Sequence, residues 1–438
     1  MGLKILHLSD IHFRSYKNFE YLDLDKDIQN ELQIDLESLK SYFKKIDIIL
    51  IGGDIAFSGK EDEYIVADNW IKTICEITNC EQENVLTVPG NHDVDRTSIS
   101  PILSDTHANF KSLRTRSEID QKLGNYLLSI PSAALLISPF ANYNAFAQKY
   151  GSIPDKENKL FWEKEFVLGN SLLRIRGVNS ALVSDKNDDE HSSKLILGTA
   201  QGNLKREKGI INLVLCHHPP QWLYDNDAAT SEFNSRCRIQ LFGHKHKFNT
   251  TKIDDSSLVL SAGAMQPERD KLDWQPRFNI IEVNDPDLSS RPTLKVKIYK
   301  RVWNKSKSKF EAEFSESGGL WEDYSLNLSD VEINFSNGNP HLAKCTSPIY
   351  EDMTEPTIDL NNPNPMRKLA YLFLALPYHA KIKIAVDLNL VEESDRNLSE
   401  IQRSQEYFKR AIEKNILSEL WDKVTEISPS ELNNPFQK

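Results

Sequence analysis

Apolar and polar positions alternate along the first part of the chain in short blocks. Residues 3–8 form an apolar run ending in Ser9-Asp10, and residues 46–51 form a second, ending in Gly52-Gly53-Asp54. A third, 85–88, ends in Pro89-Gly90-Asn91-His92; a fourth, 211–216, ends in His217-His218-Pro219-Pro220; a fifth, 238–242, ends in Gly243-His244-Lys245-His246. Short apolar runs bounded by turn residues predict buried strands. Residues 27–44 and 61–78, lying between the first three runs, read as helices, and this alternation predicts a layered α/β fold. The polar residues follow the C-terminal ends of the strands, where open α/β sheets place their ligands. Five strand ends are therefore expected to converge on one sheet edge.

Residues 98–165 break the rhythm. They read as mainly helical without a metal-type motif, an insert that is either a cap beside the site or a peripheral layer. Strands resume at 278–283 and 293–300, with strict alternation through Leu294-Lys295-Val296-Lys297-Ile298. From Asn304 to Pro365 the chain is polar, and Asn361-Asn362-Pro363-Asn364-Pro365 reads as linker. Beyond it the pattern is helical. Leu369, Leu372 and Phe373 mark one face; Pro377 opens a helix carrying Ile382 and Val386. Ser399 caps a third helix with Ile401, Phe408 and Ile412 inward, and Ser418 a fourth with Leu420, Trp421 and Val424. The expected division is residues 1–303, a polar extension at 304–365, and a small all-α domain at 366–438.

Composition changes the picture little. With 438 residues, 39% hydrophobic and 27% charged, the chain is ordinary for a soluble globular protein. No apolar run reaches the ~20 residues of a membrane span, and Met1 to His7 runs straight into Ser9-Asp10 without the features of a signal peptide. A cytoplasmic protein without membrane association is expected. The cysteines (75, 80, 216, 237 and 345) are scattered, with no CxxC pair, so neither a disulfide framework nor a thiolate metal site is expected. A net charge of −11 argues against a globally basic nucleic-acid binder while leaving room for a local basic patch.

The strand-end residues Asp10, His12, Asp54, Asn91, His92, His217, His244 and His246 supply carboxylate, amide and imidazole donors. That set suits Mn, Fe, Co, Ni or Zn better than Mg or Ca. In order and context the motifs Asp10-Ile11-His12, Gly53-Asp54, Gly90-Asn91-His92-Asp93, His217 and Gly243-His244-Lys245-His246 resemble the calcineurin-like metallophosphoesterase superfamily, over residues 1 to about 300. The resemblance implies a β-sandwich flanked by helices and a pair of divalent metal ions, with Mn the first choice. It implies Asp10, His12 and His246 on the first ion, Asn91, His217 and His244 on the second, and Asp54 bridging. It places His92 off the metals, contacting the phosphate and protonating the leaving group. Two cations ~3.5–4 Å apart clamp phosphoryl oxygens and lower the pKa of water toward ~7, and imidazole suits proton transfer near neutral pH. The family's His-x-Pro favours His217 over His218, which would line the pocket.

Other features have competing readings. His7, inside the first strand, reads as a buried, hydrogen-bonded histidine. Asn179-Ser180 reads as a turn or as an approach to the site, Asp93 as a brace for His92 or a turn cap, and Asp95-Arg96 as substrate contacts or internal pairs. The eight Lys and Arg of 291–310 form either a phosphate-binding stripe or the exposed face of a strand. The helical tail loosely resembles death-like adaptor domains of bacterial conflict systems, implying a protein partner; packing or self-association is the alternative.

The expectation is a two-metal phosphohydrolase, a phosphodiesterase or nuclease acting on DNA, RNA or a nucleotide, as an effector in bacterial antiphage defence. A cyclic-nucleotide phosphodiesterase or phosphomonoesterase is one alternative, and an interaction protein with a structural metal site another.

Overall fold

A computed structural model describes residues 2–329, less 17–22, 24, 157, 193, 267–274, 288–290 and 316–317, and then residues 369, 372–373, 376, 378–392, 395 and 400–427. The chain divides into two compact units, Met1–His341 and Leu342–Lys438.

In the first unit the strands are β1 (Leu3–Leu8), β2 (Ile48–Ile51), β3 (Val85–Thr87), β4 (Phe161–Leu168), β5 (Ser171–Val178), β6 (Ile210–Cys216), β7 (Ile239–Phe242), β8 (Phe248–Ile253), β9 (Ser257–Ala262), β10 (Arg277–Val283), β11 (Thr293–Asn304), β12 (Lys309–Glu313) and β13 (Glu322–Asn327). The helices are α1 (Lys26–Phe43), α2 (Glu61–Thr78), α3 (Pro101–Lys111), α4 (Arg116–Leu127), α5 (Ile130–Ile137), α6 (Ala141–Gln148), α7 (Thr199–Gly202) and α8 (Asn226–Arg236). One sheet runs β12-β11-β10-β1-β2-β3, with β13 also on β11; the other runs β4-β5-β6-β7-β9-β8. The strands that lead to the motifs pair in parallel: β1 with β2, β2 with β3, and β6 with β7.

Period-two alternation sorts these strands between two cores. Ile5, Ile48, Leu50 and Leu86 from one sheet meet Ile175, Leu213, Leu215 and Leu241 from the other. The opposite faces, with Leu6, Ile49, Ile51 and Val214, pack under helices through Leu32, Leu36, Trp70, Ile71 and Phe233. The fold is a β-sandwich flanked by helices, as the sequence suggested.

The insert begins with α3 and ends before Phe161, where β4 starts, short of the expected 165. It packs as a side layer: Tyr143 OH lies 2.9 Å from Thr87 Oγ1, Ser152 Oγ donates to Val85 O at 3.1 Å, and Tyr150 OH donates to Asp68 at 2.7 Å. Among the described residues, none of 98–165 lines the cleft over the metal-type motifs.

The expected linker needs correcting at its start. Residue 303 falls within β11, and the polar stretch after it supplies β12 and β13. These short strands carry polar side chains on the solvent face and only Phe310 or Leu326 in the core, so composition masked them. The same pairing settles the basic stripe. Lys300 pairs with Glu313 and Glu322, Arg301 with Asp35, and Lys297 lies over Trp321, so much of it is neutralised within the sheet. Residues 330–368, including the Asn-Pro-rich segment, lie outside the described residues.

The second unit has α9 (Tyr378–Asp387), α10 (Glu400–Glu413) and α11 (Leu417–Ile427). Its core joins Leu369, Phe373, Ala380, Ile384, Tyr407, Ala411, Leu420, Trp421 and Val424. The inward stripes run Ala380–Ile384 and Tyr407–Ala411, one helical turn apart. Val386 and Ile412 therefore point outward, at 56% and 45% exposed, against expectation. Ser418 falls inside α11 rather than before it. Pro377, Ser399 and the side chain of Ile401 lie outside the described residues. No single described helix is long and apolar enough to cross a membrane. Cys75, Cys80, Cys216 and Cys237 are free and buried.

Candidate metal centre

The metal-type motifs follow strands of both sheets, β1, β2 and β3 of one and β6 and β7 of the other, so they converge where two sheets share an edge and not on the single sheet edge expected. The loops after β1, β2 and β7 reach that shared edge in an uncommon backbone conformation. Asp10, His12, Asp54, His244 and His246 have φ of 54°, 52°, 52°, 66° and 55°, a left-handed region non-glycine residues seldom occupy. Cross-loop hydrogen bonds hold them there: Asp10 N to Gly53 O at 3.0 Å, and Ile11 N and His12 N to Asp54 O at 3.0 and 2.9 Å. Close packing also demands glycine. Gly53, at φ 96°, would put a Cβ 2.5 Å from His217 Nδ1, and one on Gly90 would collide with the Asp54 carboxylate.

All eight sequence-selected side chains meet at this edge. His246 Nε2 is 3.2 Å from Asp10 Oδ1, and His12 Nε2 is 3.7 Å from Asp54 Oδ2. The same Oδ2 also faces His217, whose Nε2 lies 3.3 Å from it. Asn91 Oδ1 faces three imidazole nitrogens: His217 Nε2 at 3.3 Å, His244 Nδ1 at 3.1 Å and His218 Nε2 at 3.1 Å. His92 stands beside Asp54, its backbone N–H donating to Oδ1 at 2.8 Å. His92, Asn91, Asp54, His244 and His246 border an open cleft of about 780 Å³ that Trp222 and Lys245 also line.

Neighbours fix the direction of each ring. His217 Nδ1 donates to the Gly52 carbonyl at 2.7 Å, turning Nε2 to Asp54; a backbone carbonyl on the remote nitrogen is the usual way a ligating imidazole is oriented. His218 is held instead by Ser180, whose Oγ lies 2.9 Å from its Nδ1. Asn179-Ser180 thus approaches the site through His218, while Asn179 Oδ1 also caps Ala181 N in a turn.

Electrostatics follow from burial and the two carboxylates. Burial pushes the Asp10 carboxyl up, but its bond to His246 and the fields of His217 and His246 bring it down to about 2. Burial opposes ionisation of Asp54 too, and the facing His217, His12 and His92 overcome it, leaving Asp54 well below the ordinary carboxylate range. Burial brings His12 to about 4 and His244 to about 3, and lowers His218 as well, so these rings are neutral donors at pH 7. Burial would lower His217 also, yet Asp54 and Asp10 raise it to about 9. The field that holds that proton would equally attract a cation.

The residues fit a pair of divalent ions. Donor atoms of Asp10, His12 and His246 lie within 4.8 Å of one another, as do those of His217, His218 and His244, and of Asp10, Asp54 and His217. Among the described residues no cysteine joins these groups, and the donors are of the nitrogen–oxygen type borderline metals favour. Residues 3–248 match the family model of the calcineurin-like phosphoesterases. The chain belongs to this family. Its first unit is accordingly a metal-dependent phosphoesterase domain, and a separate model, that of a GTPase-associated adaptor domain, matches residues 365–426. The chain is 23% identical over 341 residues to an uncharacterised metallophosphoesterase-like protein, YydB, of Bacillus subtilis (strain 168), covering 75% of this chain and 65% of that relative. Similar solved structures include a dimetal phosphatase from Danio rerio (13% identity, TM-score 0.38, covering 75% of this chain and 99% of that one). A purple acid phosphatase, PPD1, from yellow lupin is similar too (12% identity, TM-score 0.39, covering 76% and 54%).

Some readings of single residues change. Asp93 does not brace His92: its carboxylate accepts from the N–H groups of Ile55, Ala56 and Gly90 and from Tyr64 OH, so it is a turn cap. His92 Nδ1 donates instead to the Phe57 carbonyl at 2.7 Å. Asp95 pairs internally with Lys60 at 2.6 Å. His7 is buried as expected, but neither ring nitrogen has a hydrogen-bond partner among the described residues. Phe57, Ser180 and Trp222 escaped notice as site neighbours because only tertiary packing brings them there.

Proposed function

We propose that this protein is a two-metal phosphodiesterase acting on nucleic acid or a nucleotide, with Mn the preferred ion. The observation that carries the reading is the sharing of Asp54 between two donor groups with His92 at their edge. Asp10, His12 and His246 would hold one ion; Asn91, His217 and His244 the other; Asp54 would serve both. His217 is preferred to His218 because its Nε2 faces the shared carboxylate as well as Asn91, whereas His218 Nε2 faces Asn91 Oδ1.

When bound, two such ions offset the charge that develops on a phosphoryl group during in-line displacement. The chain's own residues do the rest. Asp10 and Asp54, held ionised, supply fixed negative charge, and His12 and His244, held neutral, supply lone pairs. His92 keeps its Nδ1 proton on the Phe57 carbonyl, so Nε2, once it has taken a proton from solvent, is the nitrogen that would pass that proton to the departing oxygen. The open cleft suits a substrate larger than a phosphomonoester. The adaptor-domain match supports recruitment by a protein partner through the second unit. The combination suits a nuclease effector in the bacterial cytoplasm, deployed against phage.

Hydrolysis of bis-(p-nitrophenyl) phosphate and of the monoester, with Mn added, tests the reading. Mn-dependent turnover of the diester that disappears in Asp54→Asn supports it. Turnover of the monoester alone would make the protein a phosphatase.

A further inference from the structure

Arg14 follows the Asp10-Ile11-His12 loop, and its guanidinium carbon sits 3.5 Å over the ring centroid of Phe57. The same Phe57 orients His92 through its carbonyl, and the two rings are 5.4 Å apart. The guanidinium therefore lies within the sum of those two distances of the His92 ring. Its Nε is buried with no hydrogen-bond partner, and no carboxylate pairs with it among the described residues. Five other arginines of the first unit are instead held by carboxylates. Arg116 is clamped by Asp225 and Glu232, Arg174 by Glu165 and Glu207, Arg176 by Glu163, Arg277 by Glu313 and Arg301 by Asp35.

A guanidinium stays charged at any physiological pH, and leaving it partly desolvated without an anion is costly. Stacking on Phe57 fixes the plane and recovers part of that cost. One aromatic ring, Phe57, separates the cation from the imidazole that would protonate the departing oxygen, which points to the leaving-group side of the reaction.

We infer that Arg14 binds a second phosphate, carried by the leaving group next to the scissile diester, so the site selects nucleotides or polynucleotides whose leaving group is itself phosphorylated. The inference rests on the phosphodiesterase reading above. Planar guanidinium and phosphate pair through two parallel hydrogen bonds, and Lys would retain the charge but not the fork.

The test is equilibrium binding by titration calorimetry with Mn-loaded protein. The probes are thymidine dinucleotides joined by an uncharged methylphosphonate linkage, which is not cleaved, with or without a terminal phosphate at the 5′ or the 3′ end. Wild type is expected to bind one phosphorylated form about tenfold or more tightly than the bare dinucleotide. Arg14→Gln should lose that preference and Arg14→Lys keep part of it, with circular dichroism showing that both variants are folded. No preference in wild type, or an undiminished one in a folded Arg14→Gln, overturns the assignment. Failure of the phosphodiesterase reading would show separately, as absent diester turnover in wild type.

Discussion

His92 Nδ1 donates to the backbone carbonyl of Phe57 at 2.7 Å, while the backbone N–H of His92 donates to Asp54 Oδ1 at 2.8 Å. One residue is thus tied both to the shared carboxylate and to the strand end that carries it. The imidazole is positioned by backbone atoms that no side-chain substitution deletes.

Replacing His92 by Ala should separate proton transfer from metal binding, since the proposal assigns His92 to neither ion. Diesterase kcat is expected to fall about 10²–10⁴-fold. Bound Mn, measured by elemental analysis, should be unchanged. A parallel loss of metal would place His92 among the ligands.

Asp54→Asn removes the carboxylate proposed to serve both ions. Activity should drop about 10³-fold or more, given the several kcal/mol metal ions contribute to such transition states. Chelation of the wild type should give the same loss, reversed by Mn. Retention of two ions and most of the turnover in Asp54→Asn would sink the shared-carboxylate assignment.

Arg116 ties the insert to the rest of the first unit by reaching Asp225, which is fully buried, and Glu232. Arg116→Ala strands those carboxylates. Breaking one side of a buried ion pair typically costs about 3–5 kcal/mol, and a urea unfolding midpoint would register it. A change below about 1 kcal/mol would mean that water replaces the guanidinium at no cost.

His107, in α3, is buried with both ring nitrogens unpartnered. Burial, and secondarily the charge of Lys111, hold it at about 4, with Asp185 opposing. An unfolded histidine titrates near 6.5, so between those values the unfolded state binds the extra proton. Stability from this residue is complete above pH 6.5 and lost as pH falls toward 4. His107→Leu should flatten the decline of the melting temperature across that window relative to wild type. Identical pH profiles for the two proteins would contradict it.

The candidate site was legible in the sequence because each apolar strand ends in a short string of metal-type donors, and strand ends share an edge. What joins them was not. That Ser180 reaches His218 depends on β5 lying beside β6, and that Asn91 Oδ1 faces three imidazoles depends on β3 of one sheet ending near β6 and β7 of the other; no local pattern specifies either. Asp93 was ambiguous for the same reason: its partners Ile55, Ala56 and Tyr64 are about thirty residues or more away. Strands β12 and β13 were hidden by polar outer faces. In the second unit the helices were visible as periodic stretches, but assigning Val386 and Ile412 to the inner face placed them one or two residues off the true stripes.

The left-handed backbone at Asp10, His12, Asp54, His244 and His246 sets a trade-off. Each such residue costs about 1–3 kcal/mol, which the interlocking loops must supply before any ion arrives. Glycine would adopt the same conformation without strain, so exchanging one of these donors for glycine could firm up the fold while removing a ligand. Lineages released from selection for catalysis would then drift toward glycine at these five positions, gaining robustness as they lose chemistry.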